Sequence, residues 1–153
     1  MVLADPVELI PYEPRHLDAL IPRWRASFEA GVGVIDPNPI EEQRDYFLSE
    51  VVTRNRVRVA VCGRELVGFI AATPESIAQL YVFPGFQRQG LGRRMLQWAK
   101  NESCGSLWLY TFSRNARARA FYERNGFQPI EFGFEPTWGL HDVKYFWSGP
   151  VAT

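Results

Sequence analysis

The sequence predicts an α+β fold in which helices pack against both faces of a mixed β-sheet. Strand and helix patterns alternate along the whole chain, with no internal repeat and no low-complexity linker. An alternating pattern at residues 57–72 predicts an antiparallel hairpin, and an apolar strand at residues 77–82 leads into a glycine-bearing helix start. At 153 residues, 46% of them hydrophobic, the chain fits one domain with a substantial core.

The first third of the chain predicts one short strand and two helices. A strand at residues 8–12 precedes a helix that Pro14 opens, because proline is favoured in a first helical turn, and Pro22 is expected to bend or end that helix. Residues 31–39 are expected to form an irregular loop, and Asn38 is the expected N-cap of the second helix. The residues of the second helix expected to face inward are Tyr46, Phe47 and Val51.

The remainder of the chain alternates strands with two more helices. Gly63 is expected at the turn of the hairpin. The third helix follows the glycine-bearing turn and ends before Gly105, and the fourth begins at Asn115 and ends at Gly126. The core face of the third helix is expected to consist of Leu91, Met95, Trp98 and Ala99. Later strands are expected at residues 107–111, 127–134 and 143–147.

Composition and charge argue against several classes of function. The 17 Lys and Arg residues balance 17 Asp and Glu residues, whereas a nucleic-acid or membrane-surface binder normally carries a basic excess. The chain start lacks a basic segment followed by a long apolar run, so we expect neither a signal peptide nor a membrane span. Cys62 and Cys104 form no metal-ligand spacing and no disulfide framework, which predicts no metal site and a cytoplasmic location.

The most informative segment is Gln87-Arg88-Gln89-Gly90-Leu91-Gly92-Arg93, directly after the strand at residues 77–82. The amides of a first helical turn lack intrahelical partners and together carry about half a positive charge, so glycines that admit a ligand there predict a diphosphate site. Two common nucleotide motifs do not fit. A Rossmann fingerprint needs a third glycine where Met95 stands, and a P-loop needs a Lys-Ser/Thr pair that Arg93-Arg94 does not supply.

The same run resembles the acetyl-CoA pyrophosphate loop of the GCN5-related N-acetyltransferase (GNAT) superfamily, in which Gln or Arg is followed by two residues, Gly, one residue, and Gly or Ala. A second segment, from Asn115 to Phe127, resembles the other cofactor-facing element of that superfamily. The resemblance extends loosely from Glu8 to Trp147. It implies a single domain over residues 1–153, folded as a three-layer α-β-α sandwich with a central mixed, mostly antiparallel sheet of six or seven strands.

The resemblance also implies acetyl-CoA as co-substrate and indicates which residues hold it. Backbone amides of the loop would bind the pyrophosphate, and a splayed strand before it would pair with the pantetheine arm. Asn115 would touch that arm or an ordered water in addition to capping its helix. The expected cofactor-binding residues are Leu80, Tyr81, Val82, Gln87, Arg88, Gln89, Gly90, Leu91, Gly92, Arg93 and Asn115. Two alternatives stay open, namely glycines that only allow close packing and arginines that only form a solvated helix end.

Tyr122 is the catalytic residue that the resemblance implies. When an amine displaces CoA from a thioester, the leaving thiolate must be protonated, and a phenol with a pKa of about 10 is a neutral proton donor at pH 7. The alternative is a core aromatic whose hydroxyl lies at the rim. Neither Cys62 nor Cys104 has a His partner, so we expect direct attack in a ternary complex without a covalent enzyme intermediate.

The general base does not follow from the pattern. Some superfamily members carry a carboxylate in the strand before the loop or in the strand before the Asn-Tyr helix, where this chain has Ala78-Gln79 and Tyr110. We therefore expect proton removal through ordered water, aided by Asp142 or Asp36. The two histidines, His16 and His141, are expected at the surface.

The acceptor is expected to be a primary amine of a small molecule. Trp24, Phe28 and Asp36 would form one wall of its cleft, and the tail with Trp138 and Asp142 would form the other. Such a cleft suits a small cationic amine or an amino acid. A protein or peptide amine stays open as the acceptor, as do a non-catalytic acyl-CoA-binding or regulatory role and a homodimer.

Overall fold

The computed structural model describes residues 6–150. Two expectations concern residues that lie partly outside this range: that the chain start carries no leader, and that one domain covers residues 1–153. The strands are β1 (Val7–Pro11), β2 (Arg56–Cys62), β3 (Glu65–Ala72), β4 (Ile77–Val82), β5 (Ser106–Phe112), β6 (Gln128–Glu135) and β7 (Leu140–Ser148). The helices are α1 (Leu17–Val32), α2 (Ile40–Tyr46), α3 (Val52–Arg54), α4 (Leu91–Glu102) and α5 (Ala116–Arg124). A 3₁₀ turn at Pro14–His16 precedes α1, and a π-turn at Phe47–Val51 joins α2 to α3.

The strands form two antiparallel sheets that meet at one point. Their orders are β1-β2-β3-β4 and β5-β7-β6. The β4–α4–β5 connection is a crossover, so β4 and β5 run parallel. Within residues 6–150, one isolated bridge joins them, between Ser76 just before β4 and Trp108 of β5. Beyond that bridge the two strands diverge. The predicted mixed, mostly antiparallel sheet is confirmed.

Helices cover both faces of this sheet, and β3 is consequently buried on both sides. Phe69 of β3 packs with Trp24 and Phe47 in the core beneath α1 and the π-turn. The neighbouring Ile70 points the other way, into the core that holds Met95 of α4 and Tyr122 of α5. Successive strand residues alternate between faces, so one nearly continuous apolar strand supplies both cores. The predicted three-layer arrangement is therefore confirmed.

The first helices differ from expectation in where one helix ends and in which residue caps the next. Pro22 does not end the helix, because α1 continues to Val32 and closes only at Gly33, whose φ of 78° gives a left-handed C-cap. Pro22 is exposed, and it lacks the N–H that would donate a helical hydrogen bond. The buried residues around it, Ile21 and Trp24 among them, stabilise the helix enough to offset that lost bond. The N-cap of α2 is Pro39 rather than Asn38.

Burial also differs from expectation at two aromatic side chains. Tyr46 is 51% exposed, whereas Phe47 and Val51 are buried as predicted. His16, expected at the surface, is buried, and its Nδ1 accepts a hydrogen bond from Glu13 N (2.9 Å). Burial lowers the pKa of His16, and neighbouring Arg15 lowers it further. Both errors arise from tertiary contacts that a local pattern does not contain.

The later helices follow their predicted patterns. Leu91, Met95 and Ala99 are buried, and Trp98 is half-buried beneath the Arg58 guanidinium, which lies 5.6 Å from its ring centroid. Within residues 6–150, no helix combines the length and apolar character that crossing a bilayer requires.

Candidate active site

The turn between β4 and α4 adopts the backbone shape that its glycines permit. Gly90 is the N-cap of α4 with a φ of 79°, in the left-handed region that glycine adopts without strain. Arg88 also has a positive φ, of 66°, which costs a side-chain-bearing residue about 1 kcal/mol. A Cβ on Gly92 would lie 3.2 Å from two ring atoms of Phe121, so close packing against Phe121 already explains why this position is a glycine.

The start of α4 presents unpaired backbone donors. Its first helical hydrogen bond runs from Arg94 N to the Gly90 carbonyl (3.1 Å). The amides of residues 91–93 consequently have no partner within the helix, and the helix dipole adds positive potential at the same point. A group with two phosphates fits such a site.

Four arginines lie beside this helix start, and two of them remain available to an anion. Arg94 donates to a backbone carbonyl of β1 (2.8 Å), and Arg117 donates to Gln87 Oε1, so both are engaged within the fold. Arg88 and Arg93 are exposed and form no hydrogen bond or ion pair with another residue of the described range. The cationic side chains that suit phosphate are therefore Arg88 and Arg93.

The divergence of β4 from β5 leaves backbone groups of β4 without strand partners. Phe83 N donates to a carbonyl of β3 (2.9 Å), and antiparallel partners alternate, so the backbone groups of Tyr81 face β3. Those of Leu80 and Val82 face the opening. The Val82 carbonyl accepts a bond from Gln87 Nε2 (3.3 Å). Leu80 and Val82 can thus pair with an extended amide chain, whereas Tyr81 contributes its side chain.

A cleft with a volume of about 900 Å³ lies at this opening. Its floor comes from β4, β5 and α5, one wall from α1 and α2, and the other from the β6–β7 hairpin. It brings together these predicted site residues: Trp24, Phe28, Asp36, Leu80, Tyr81, Asn115, Tyr122 and Asp142. The other predicted residues, Val82 and residues 87–93, do not line it and lie at or beyond the end of β4.

Tyr122 belongs to both the core and the cleft. Its ring packs against Phe127 (5.6 Å between centroids) and Tyr145 (6.1 Å), and the residue also lines the cleft. Burial raises the pKa of the Tyr122 hydroxyl well above its ordinary value, and nearby Tyr81 raises it further. Burial raises the pKa of Tyr81 to about 12, although its hydrogen bond with Trp24 opposes that rise. Both phenols are neutral proton donors at physiological pH.

Asn115 caps α5 and contacts α1. Its Oδ1 accepts a hydrogen bond from Ala118 N (3.1 Å), which confirms the predicted N-cap. A Cβ on Gly31 of α1 would lie only 2.9 Å from Asn115 Nδ2. The absence of a side chain at residue 31 therefore makes room for the Asn115 amide at the edge of the cleft.

The two aspartates proposed as base partners differ in their surroundings. The Asp36 carboxylate accepts bonds from Asn38 N (2.9 Å) and Asn38 Nδ2 (3.0 Å), and it lies 3.4 Å from Arg25. The Asp142 side chain forms no hydrogen bond or ion pair with any residue between 6 and 150, and the residue is half-buried. Of the pair, Asp142 is the one free to accept a proton.

Several polar residues that line the cleft were not assigned from the sequence as site residues. Glu42, Gln43 and Tyr46 line the wall that α2 provides, and Glu135 lies on the opposite hairpin. Burial raises the pKa of Glu135, but hydrogen bonds from Trp138 N (2.7 Å) and Thr137 N (3.0 Å) outweigh it and leave that pKa lowered. No sequence signal identifies the α2 residues, because their position depends on how α2 packs.

Comparisons with known proteins agree with the fold and with the expected phosphate-binding role of the N-terminus of α4. The family model described as Acetyltransferase (GNAT) domain matches residues 53–129, about half of the chain. This chain belongs to the GNAT acetyltransferase family.

Individual relatives are more distant. A mycothiol acetyltransferase from Beutenbergia cavernae is 45% identical over 64 residues, and the match covers 39% of this chain and 21% of that protein. PaiA N-acetyltransferase from Thermoplasma acidophilum, solved with coenzyme A, has a TM-score of 0.73 at 19% identity, over 94% of this chain and 99% of that chain. YncA from Salmonella typhimurium, solved with acetyl-CoA, has a TM-score of 0.71 at 12% identity, over 97% and 96%. At such identities the solved structures support the fold alone.

Proposed function

We propose that this chain is an N-acetyltransferase that moves an acetyl group from acetyl-CoA to a primary amine of a small molecule, by direct attack in a ternary complex. One observation carries the proposal. The same β4–α4–β5 unit that presents unpaired amides at a helix start also forms the floor of the cleft that contains Tyr122. A helix start that suits phosphate and a cleft lined by Tyr122 thus lie on neighbouring elements, which supports acetyl-CoA binding at the one and acetyl transfer in the other.

The residues at the opening fit acetyl-CoA. The amides and side chains of residues 87–93 would hold its pyrophosphate, with Arg88 and Arg93 adding charge. The backbone groups of Leu80 and the N–H of Val82 would pair with the amide-containing arm, with the Tyr81 ring and Asn115 beside it. Gly90 suits this role because a Cβ there would meet no other atom of the described chain within 4 Å.

The chain's own residues would then direct the transfer. Acetyl-CoA, when bound, supplies the thioester carbonyl. As the amine nitrogen forms its bond to the carbonyl carbon and the bond from carbon to sulfur breaks, Tyr122 gives its proton to the sulfur. Before attack, the ammonium form of the amine loses one proton through water to Asp142 and out to solvent. The second proton, which nitrogen releases as the amide forms, returns through water to Tyr122 and restores its hydroxyl. Neither Cys62 nor Cys104 lines the cleft, which supports direct attack.

Three further properties belong to this proposal. The chain acts as a single domain over residues 1–153, in the cytoplasm, as no disulfide joins Cys62 to Cys104. It binds neither nucleic acid nor membrane, in keeping with its balanced charge.

It forms a homodimer through the edge strand β6, whose exposed apolar residues are Ile130, Phe132 and Phe134. Sedimentation velocity of the parent and of Phe132→Glu tests the dimer.

Release of free thiol from acetyl-CoA, measured with a panel of primary amines, tests the function. The proposal predicts amine-dependent thiol release and a matching N-acetylated product by mass spectrometry. Tight binding of acetyl-CoA without thiol release from any amine, peptide amines included, would instead support a non-catalytic acyl-CoA-binding module.

A further inference from the structure

The acceptor cleft is lined by more negative charge than acetyl transfer requires. Its carboxylates are Asp36, Glu42, Glu135 and Asp142. Among the described residues that line it, none is Lys, Arg or His. Charge of a single sign in a concave site attracts ligands of the opposite sign and repels those of the same sign.

Two of these carboxylates are satisfied by the protein and two are not. Asp36 pairs with Arg25, a residue outside the cleft lining, and Glu135 accepts two backbone bonds within its own turn. Glu42 and Asp142 form no ion pair within residues 6–150. They stand on different walls, Glu42 on α2 and Asp142 on β7. Each wall therefore offers one carboxylate for a cationic ligand.

Gln43 adds an independent sign of a missing partner. It lines the cleft next to Glu42, and its buried Oε1 receives no hydrogen bond from any residue of the described range. A buried amide oxygen left without a donor destabilises a fold, so such atoms are normally paired. A rotation of the Gln43 side chain that exposes this oxygen to the cleft would let the N–H groups of a bound cation supply that donor.

Aromatic rings connect the two walls. Phe28 of α1 lies 4.9 Å from Trp138 of the hairpin, between ring centroids, and 6.2 Å from Phe112 of β5. Aromatic faces bind methylene chains and attract cations. A short apolar chain with a positive charge at each end would match this arrangement, in which aromatic rings lie between a carboxylate on one wall and a carboxylate on the other.

We infer that the acceptor is a dicationic amine without a carboxylate, such as a linear diamine or an amino-guanidine, whose second cation is held by Glu42 and Gln43. The inference rests on the proposed function and specifies its substrate class. An amino acid, which the sequence left open, does not suit this cleft because its carboxylate would face acidic side chains and, among the described residues, a lining without Lys, Arg or His. Acetylation removes one of the two charges, so the product binds more weakly than the substrate.

Three amines with the same four-carbon chain test the inference: putrescine, butylamine and γ-aminobutyrate. We expect kcat/KM for putrescine to exceed that for butylamine by about tenfold or more, the usual effect of a charge-assisted hydrogen bond, with γ-aminobutyrate the poorest. Glu42→Gln should lower the ratio of putrescine to butylamine by about two- to fivefold, because Glu42 is exposed at the cleft wall and exposed ion pairs are weak. Glu41→Gln is the matched control, since Glu41 is exposed on the same helix and outside the cleft, and it should leave the ratio unchanged.

The outcomes separate the two proposals. If butylamine or γ-aminobutyrate is acetylated as well as putrescine, the dication inference is overturned while the acetyltransferase function stands. If Glu41→Gln and Glu42→Gln change the ratio equally, the assignment of the second cation to Glu42 is overturned. Absence of thiol release with every amine tested would overturn the function and this inference together.

Discussion

Tyr122 shows how one side chain can serve the core and the chemistry at once. Its ring fixes α5 against β7 through Tyr145, while the same residue lines the cleft. Burial keeps the hydroxyl protonated, because it raises the pKa of the phenol above the ordinary value. A donor that keeps its proton until a thiolate forms is what leaving-group protonation requires.

Tyr122→Phe is expected to lower kcat by about a hundredfold or more while acetyl-CoA affinity stays within about twofold, because only the hydroxyl is lost. Steady-state thiol release with one good amine and calorimetric titration of acetyl-CoA measure the two quantities. Turnover at the parent's rate would return Tyr122 to a purely structural role.

Asp36 and Asp142 should respond differently to loss of charge. A water relay predicts that Asp36→Asn and Asp142→Asn each lower kcat by less than about a hundredfold, with the larger loss at Asp142, which has no partner. It also predicts that the rate climbs with pH toward the pKa of the amine. Since the pKa of Tyr122 is raised, the phenol stays protonated over this range and does not reverse the climb. A single substitution that removes nearly all turnover together with the lower limb of the pH–rate profile would identify that aspartate as a dedicated base.

Helices α1 and α5 meet at Asn115, and the absent side chain at Gly31 makes that meeting possible. Gly31→Ala would ordinarily stabilise a helix by about 1 kcal/mol. Here the new Cβ would lie 2.9 Å from Asn115 Nδ2, so we expect the variant to gain no stability and to raise KM for acetyl-CoA.

The matched comparison for this variant is Asn115→Ala, alone and combined with Gly31→Ala. Loss of the cap should lower the free energy of unfolding by about 1 kcal/mol. The double variant should be more stable than Asn115→Ala alone by up to about 1 kcal/mol, since the clash is gone and the helix preference for Ala over Gly returns. Additive losses in unfolding free energy would show that Gly31 and Asn115 do not interact.

Elements whose signal is local could be predicted from the sequence. The core face of α4, the turn at Gly63 and the N-cap at Asn115 depend on residues a few positions apart, and all three are as expected. Pro22 and His16 were misjudged because distant side chains bury the segments around them. Glu42 and Gln43 were not assigned to the site because the packing of α2, which no local spacing encodes, brings them to the cleft.

At the scale of the whole molecule, the fold consists of two sheets that share one bridge and diverge around a cleft. A ligand that fills the opening would contact both β4 and the start of α4, and its binding free energy would add to that of folding. Stability should therefore report directly on whether acetyl-CoA occupies this opening.

The most direct test of the account is the melting temperature of the protein with acetyl-CoA, CoA, NADH or ATP. Acetyl-CoA or CoA at about 100 times its Kd should add roughly 2.7 kcal/mol and raise the melting temperature by several degrees, whereas NADH and ATP should have little effect. Gly90→Val should fold, as judged by circular dichroism, yet lose the shift, because its side chain would occupy the phosphate approach. Equal stabilisation by all four ligands, or an unchanged shift in Gly90→Val, would contradict the assignment of this helix start and cleft to acetyl-CoA.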